Sequence, residues 1–231
     1  MKGKNSKGIK FLVFALACVM LLALPQAAFA HQPNLVENAR IEIQDPEISR
    51  AFYGTLEDTP HNYLINSPTT FNLYLNLLAP RLPNAEKDFT LTISQVVGTE
   101  ELVLKEIKTA DYPWKEYYEE FAGDNYYMGP EWEARVDPGI YLITISSSNP
   151  HAKYVLAVGK LESFPVSEML RTLGVLPALK MSFFEGSFFD VFNGIIGKFL
   201  LGFVILILVI LGLVIFLILR SSKRGRRFSH P

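Results

Sequence analysis

The sequence predicts an all-β extracytoplasmic domain, an antiparallel β-sandwich of about 7–9 strands, joined to a single transmembrane α-helix. Three observations predict it. Between residues 31 and 164, apolar and polar residues alternate in short runs separated by turn signals. Period-two alternation with one polar face marks half-buried antiparallel strands. From Phe199 to Leu219, twenty-one consecutive residues carry no charge. At helical rise they span roughly 31 Å, about the hydrocarbon thickness of a bilayer. Third, the two ends of the chain set an orientation. The residues after the apolar run include Arg220, Lys223, Arg224, Arg226 and Arg227 and no acid, and short basic flanks stay cytoplasmic.

In chain order, residues 1–30 read as a secretory signal peptide. Lys2, Lys4, Lys7 and Lys10 precede an apolar stretch, Phe11 to Leu24, and Ala28-Phe29-Ala30 is an A-x-A cleavage site. Cys18, the only cysteine, lies inside that stretch. Cleavage after Ala30 leaves no thiol for a disulfide or a thiolate metal site.

Residues 31–164 form the expected sandwich. Arg40 to Gln44 alternates. Phe71, Leu73, Leu75 and Leu77 share one face of a strand, with Asn72, Tyr74 and Asn76 on the other. Phe89, Leu91 and Ile93 alternate with Thr90, Thr92 and Ser94, and Leu102 and Leu104 flank Val103. Tyr141, Ile143 and Ile145 begin a last pair of strands, continued by Tyr154, Leu156 and Val158. The turn Ser148 to His151 between them reads as a hairpin connection. Asp45-Pro46, Thr59-Pro60, Ala79-Pro80 and Asp137-Pro138-Gly139 punctuate the runs. One departure is expected. Trp114, Tyr117, Tyr118 and Phe121 fall at i, i+3, i+4 and i+7, which predicts two turns of amphipathic helix ended by Gly123.

Residues 165–198 read as a juxtamembrane helical neck. Pro165 and Pro177 bracket a short helix with Met169, Leu170 and Leu173 on one side. Ser187-x-x-Asp190 is a cap that starts the final helix near Phe188. Residues 199–219 are the span and residues 220–231 a basic cytoplasmic tail. The whole is a single-pass membrane protein with its N-terminal domain outside the cytoplasm.

Charge narrows the function. Residues 31–165 hold twenty Asp and Glu against ten Lys and Arg, an imbalance that the net charge of −1 for the whole chain conceals. An acidic body excludes nucleic-acid binding. No G-x-S-x-G, H-E-x-x-H, P-loop or G-x-G-x-x-G motif occurs, so nothing points to an enzyme. The richest stretch is Trp114 to Glu133, with both tryptophans, four tyrosines and six carboxylates. Its candidate ligand-surface residues are Trp114, Tyr117, Tyr118, Asp124, Tyr126, Tyr127 and Trp132. Amphipathic aromatics with carboxylates suit a recognition surface for an envelope protein or a glycan. The same residues also suit a face packed on the sandwich with its carboxylates solvated. A second candidate is His31. As a mature N-terminus it offers an amine and an imidazole, which with His61 or His151 make a copper-binding brace. Otherwise no cofactor is expected, and the remaining partner is membrane lipid around the helix.

HQPNLVE at 31–37, DPEISRAFYG at 45–54, FAGDNYYMGPEWE at 121–133 and GIYLITISSSNPHAKYVLAVG at 139–159 resemble a group of uncharacterised bacterial envelope proteins. These combine a signal peptide, one β-sandwich and often a membrane anchor. The last strands, G-x-Y-x-I then Y-x-L-x-V, are also similar to the pre-peptidase C-terminal type of β-sandwich. The resemblance implies an accessory or binding role and assigns no site residue. The reading is a membrane-tethered binding or interaction module of the cell envelope, with a periplasmic copper-binding protein as the alternative.

Overall fold

The computed structural model describes residues 31–163 and 165–226. The signal peptide read at 1–30, with Cys18, and the end of the tail at 227–231 lie outside the described residues. The described chain falls into two compact units that meet in sequence between Gly194 and Ile195.

The first unit is built on eleven strands: β1 (Gln32–Leu35), β2 (Arg40–Ile43), β3 (Arg50–Thr55), β4 (His61–Ser67), β5 (Phe71–Pro80), β6 (Phe89–Val97), β7 (Glu100–Lys108), β8 (Lys115–Glu119), β9 (Asp124–Val136), β10 (Gly139–Ser147) and β11 (Lys153–Val158). They form a six-stranded sheet in the order β1-β3-β11-β5-β9-β8 and a five-stranded sheet in the order β2-β4-β10-β6-β7. Most pairs are antiparallel, as the alternation predicts. The exceptions are β1 with β3 and β2 with β4, which run parallel at one edge of each sheet. The facing sides of the sheets share one core, in which Leu73, Leu75 and Leu77 of β5 meet Leu91 and Ile93 of β6 and Ile143 and Ile145 of β10. Tyr154 of β11 crosses that core. Its hydroxyl lies 2.7 Å from both the Tyr63 hydroxyl and His61 Nδ1, so three buried polar groups satisfy one another.

Two expectations fail here. β10 and β11 are not a hairpin: β10 pairs with β4 and β6, β11 with β3 and β5. The chain changes sheets between them. Alternation reports which face is buried, not which sheet a strand joins. The helix expected over 114–121 is instead β8, paired antiparallel to β9 from Lys115↔Met128 to Glu119↔Asp124. Adjacent Tyr117 and Tyr118 fit a helical stripe, but aromatics also favour strands, and the open edge of β9 supplies the partner.

The second sheet face is also covered. Helix α1 (Val166–Ala178) and a π-turn (Leu179–Phe183) lie on the outer side of the six-stranded sheet. The segment expected as a neck therefore packs in the same unit as the strands. The segment's inward stripe is Thr172, Leu176 and Leu179, buried, with Val175 half-buried beside them, at i, i+4, i+7 and i+3. Met169 and Leu170, read as one side of this helix, are exposed. The sheet offers Ala51, Tyr53, Val155 and Ala157 to this layer. That is why β3 and β11 are apolar on both faces. The Ser187/Asp190 capping box is present, but it caps a 3-10 turn (Phe188–Phe192), not the last helix. Helix α2 (Ile195–Arg226) begins afterwards and contains the apolar stretch Ile195–Phe216. Its 22 residues are long and apolar enough to cross a bilayer, about 33 Å at helical rise.

Gly194 closes the first unit against the β8–β9 turn. A Cβ there would sit 2.3 Å from the Phe121 carbonyl oxygen and the Ala122 carbonyl carbon. Gly123, in the facing turn, holds φ +79°, a conformation that favours glycine. Gly194→Ala is expected to force backbone apart and cost about 1–3 kcal/mol as overpacking. A lowered melting temperature of the full chain in detergent checks it; an unchanged one means the turn is not seated on Gly194.

Candidate functional site

Between the outer face of the six-stranded sheet and α1 lies a cavity of about 410 Å³. It crosses the sheet from edge to edge. His31 and Pro33 line it beside β3, and Tyr117 and Glu119 of β8 line it at the opposite edge. The floor is Ala51, Val155, Ala157 and Leu78, and the roof is Thr172, Leu176 and Leu179. The strands place these residues by parity: alternate positions face the inner core, and the ones between face the cavity.

Polar groups converge on this space. Thr172 is 2% exposed, and its hydroxyl has no hydrogen-bond partner among the described residues. Tyr53 and Tyr126 join hydroxyls at 3.1 Å, and burial holds both phenols above their ordinary range. Glu119 Oε1 and Oε2 accept from the backbone N–H groups of Phe121 and Ala122 at 2.7 and 2.8 Å. Burial nonetheless pushes its carboxyl up. Lys160 Nζ donates to Glu133 at 2.7 Å and stands 4.3 Å from the Tyr74 ring centroid.

Beside the cavity, Lys180 and Asp124 form a buried ion pair at 2.5 Å. Lys180, in the π-turn, also donates to the Ala122 carbonyl at 2.8 Å. One ammonium thus ties the roof segment to the β8–β9 turn. Burial raises the Asp124 carboxyl, and Lys180 draws it back down. Its Oδ2 has no partner among the described residues.

The sequence-predicted surface is split by the pleat. Trp114, Tyr127 and Trp132 pack against the inner core. Trp114 lies 6.3 Å from Phe89 between ring centroids, and the Tyr127 ring carries Lys87 Nζ at 3.5 Å. Tyr117 and Tyr126 line the cavity, Asp124 is held by Lys180, and Tyr118 is exposed. These seven residues do not make one continuous face. The roof residues, Thr172 above all, were missed by sequence reasoning. Their signal was the apolar second face of β11, Val155 and Ala157, which needs a covering layer.

The three histidines are not brought together. The His31 ring takes a 2.5 Å hydrogen bond with Ser49 Oγ through Nδ1, and burial lowers its pKa. His31 adjoins the Arg50 end of β3, whereas Leu56, just past the other end, bonds to Ala152 beside His151. Five strand residues, roughly 17 Å, separate those ends. His61 is buried, with its Nδ1 on Tyr154, and His151 is exposed in the β10–β11 turn. Among the described residues, no group of three or more His, Cys, Asp or Glu is placed to hold a metal. His31 thus lies at the opposite end of β3 from His151.

No family model and no curated protein matches the chain. Several solved structures are similar to it. The Yersinia pseudotuberculosis-derived mitogen is 16% identical, with 52% of this chain and 92% of that one covered, at a TM-score of 0.34. The pre-peptidase C-terminal domain of a collagenase from Bacillus anthracis is 10% identical, with 56% and 95% covered, at 0.29. A surface-associated copper-binding protein of Methylomicrobium album is 7% identical, with 56% and 100% covered, at 0.29. Likenesses this distant carry no argument about function.

Proposed function

We propose that the chain is a membrane-tethered binding module of the cell envelope whose β-sandwich stands outside the cytoplasm and whose ligand site is the roofed cavity. The observation that carries the reading is the cavity itself. Its volume of about 410 Å³ suits a small molecule. It has an apolar floor and a polar rim, and its roof holds a buried hydroxyl with no partner among the described residues. A well-packed structural layer leaves no such space. The tether follows from the apolar Ile195–Phe216, and the orientation from the five basic residues after it.

Filling the cavity tests the ligand site. Full-length protein purified from its own membranes is expected to release, on denaturation, a small molecule detectable by mass spectrometry. Protein carrying Ala157→Phe is expected to lack it. The same inventory from both forms contradicts the reading. Orientation is tested separately. Protease added to intact spheroplasts is expected to degrade residues 31–194 and spare an epitope at the C-terminus; loss of the epitope with survival of the body reverses the topology.

A further inference from the structure

We infer that the cavity takes a small organic ammonium ion with an apolar body, an inference that rests on the cavity being the ligand site. Three carboxylates line it, those of Glu119, Glu131 and Glu162, against the single ammonium of Lys160. That ammonium is already bonded to Glu133, so acids outnumber free ammonium groups along the wall, although the Glu119 oxygens accept from the Phe121 and Ala122 backbone N–H groups. An anion placed here would lose its hydration beside an acidic wall. A neutral molecule would gain the apolar floor but leave the carboxylates without a counter-charge. A cation satisfies both.

Aromatic rings add to this. Tyr74 and Tyr117 line the same space as Glu119 and Glu131, and rings beside carboxylates are the usual surroundings of a bound ammonium. The wall shows this affinity with a group of its own: Lys160 Nζ stands 4.3 Å from the Tyr74 centroid. The Thr172 hydroxyl, buried in the roof with no partner among the described residues, accepts a hydrogen bond from an N–H ammonium or donates to a polar group on the ligand. The excess of acids over bases in residues 31–165, twenty against ten, draws cations toward the body as a whole.

The test is calorimetric titration of the full chain in lipid nanodiscs with three probes of similar shape. These are benzyltrimethylammonium, benzyl alcohol and phenylacetate, and empty nanodiscs serve as the blank. Benzyltrimethylammonium is expected to bind about tenfold or more tightly than either of the others. Ala157→Phe is expected to abolish that binding. Glu131→Gln, a rim change that leaves the core untouched, is expected to weaken it about threefold. Stronger binding of benzyl alcohol or phenylacetate, lost in Ala157→Phe, overturns the cation inference and leaves the cavity reading standing. Cation binding that survives Ala157→Phe, or no cation binding, also overturns it. The inventory of co-purified molecules then decides the cavity reading on its own.

Discussion

Lys180→Met is expected to destabilise the first unit by about 3–5 kcal/mol, because it strands the buried Asp124 carboxylate without its partner. Lys180 is 1% exposed and Asp124 5%, so water cannot replace the lost ammonium. The Ala122 carbonyl also loses its Lys180 donor. The double variant Lys180→Met with Asp124→Leu is expected to recover most of the loss, since two apolar groups leave no charge to desolvate. The sign with pH follows from the carboxyl. Burial already holds Asp124 above its ordinary range against the pull of Lys180. Removing Lys180 removes that pull and raises it further. A group whose folded pKa lies above its unfolded value stabilises the fold below the unfolded pKa and loses that contribution as pH rises through the folded one. The deficit of Lys180→Met is therefore expected to be smaller at about pH 5 than at about pH 8. Denaturant midpoints of wild type and both variants at the two pH values check it. A deficit that grows on acidification, or a double variant no better than the single, would show that the pair does not act as an isolated buried charge couple.

Leu75→Ala is the second large effect. Leu75 is fully buried in the core between the sheets, and truncating such a leucine costs about 2–5 kcal/mol in transfer and cavity terms. Asn72, on the opposite face of β5 and exposed, is expected to cost about 0.5 kcal/mol or less when changed to alanine. Its backbone N–H bond to Glu47 does not involve the side chain and survives. Equal losses from the two substitutions would mean that the register of β5 is shifted by one residue, since such a slip exchanges the two faces.

The comparison of β5 with β8 shows what was legible in the sequence. From Phe71 to Leu77, β5 has phenylalanine or leucine at every second position and asparagine or tyrosine between them, so only one period fits. In β8, Tyr117 and Tyr118 are neighbours, and the run satisfies a helical stripe as well as a strand. The open edge of β9 decided between them, and no local pattern reports an edge. The apolar stretch of α2 was plain because nothing but length and composition is needed to see it. The outer layer was half-legible. Val155 and Ala157 leave β11 apolar on both faces, which requires a cover, yet the covering helix carries its stripe on Thr172, Leu176 and Leu179 rather than on the more hydrophobic-looking Met169 and Leu170. Lys180, in an otherwise apolar run, was the remaining clue. A lone lysine there is tolerated only with a buried partner, and Asp124, 56 residues earlier, is not identifiable as that partner from spacing.

The cavity is the centre of the account, and the thiol chemistry of residue 172 tests it most directly. Cys18 is the one cysteine of the sequence, so Thr172→Cys combined with Cys18→Ser leaves a single, nearly isosteric thiol in the roof. In the folded full-length chain, methyl methanethiosulfonate, a small neutral reagent, is expected to modify this thiol at a measurable rate. A bulky maleimide is expected to fail until denaturant is added. Adding Ala157→Phe is expected to suppress the reaction with the small reagent as well. A thiol that stays unmodified in the folded chain, or one that reacts equally fast with and without Ala157→Phe, would contradict a ligand-sized cavity beneath the roof.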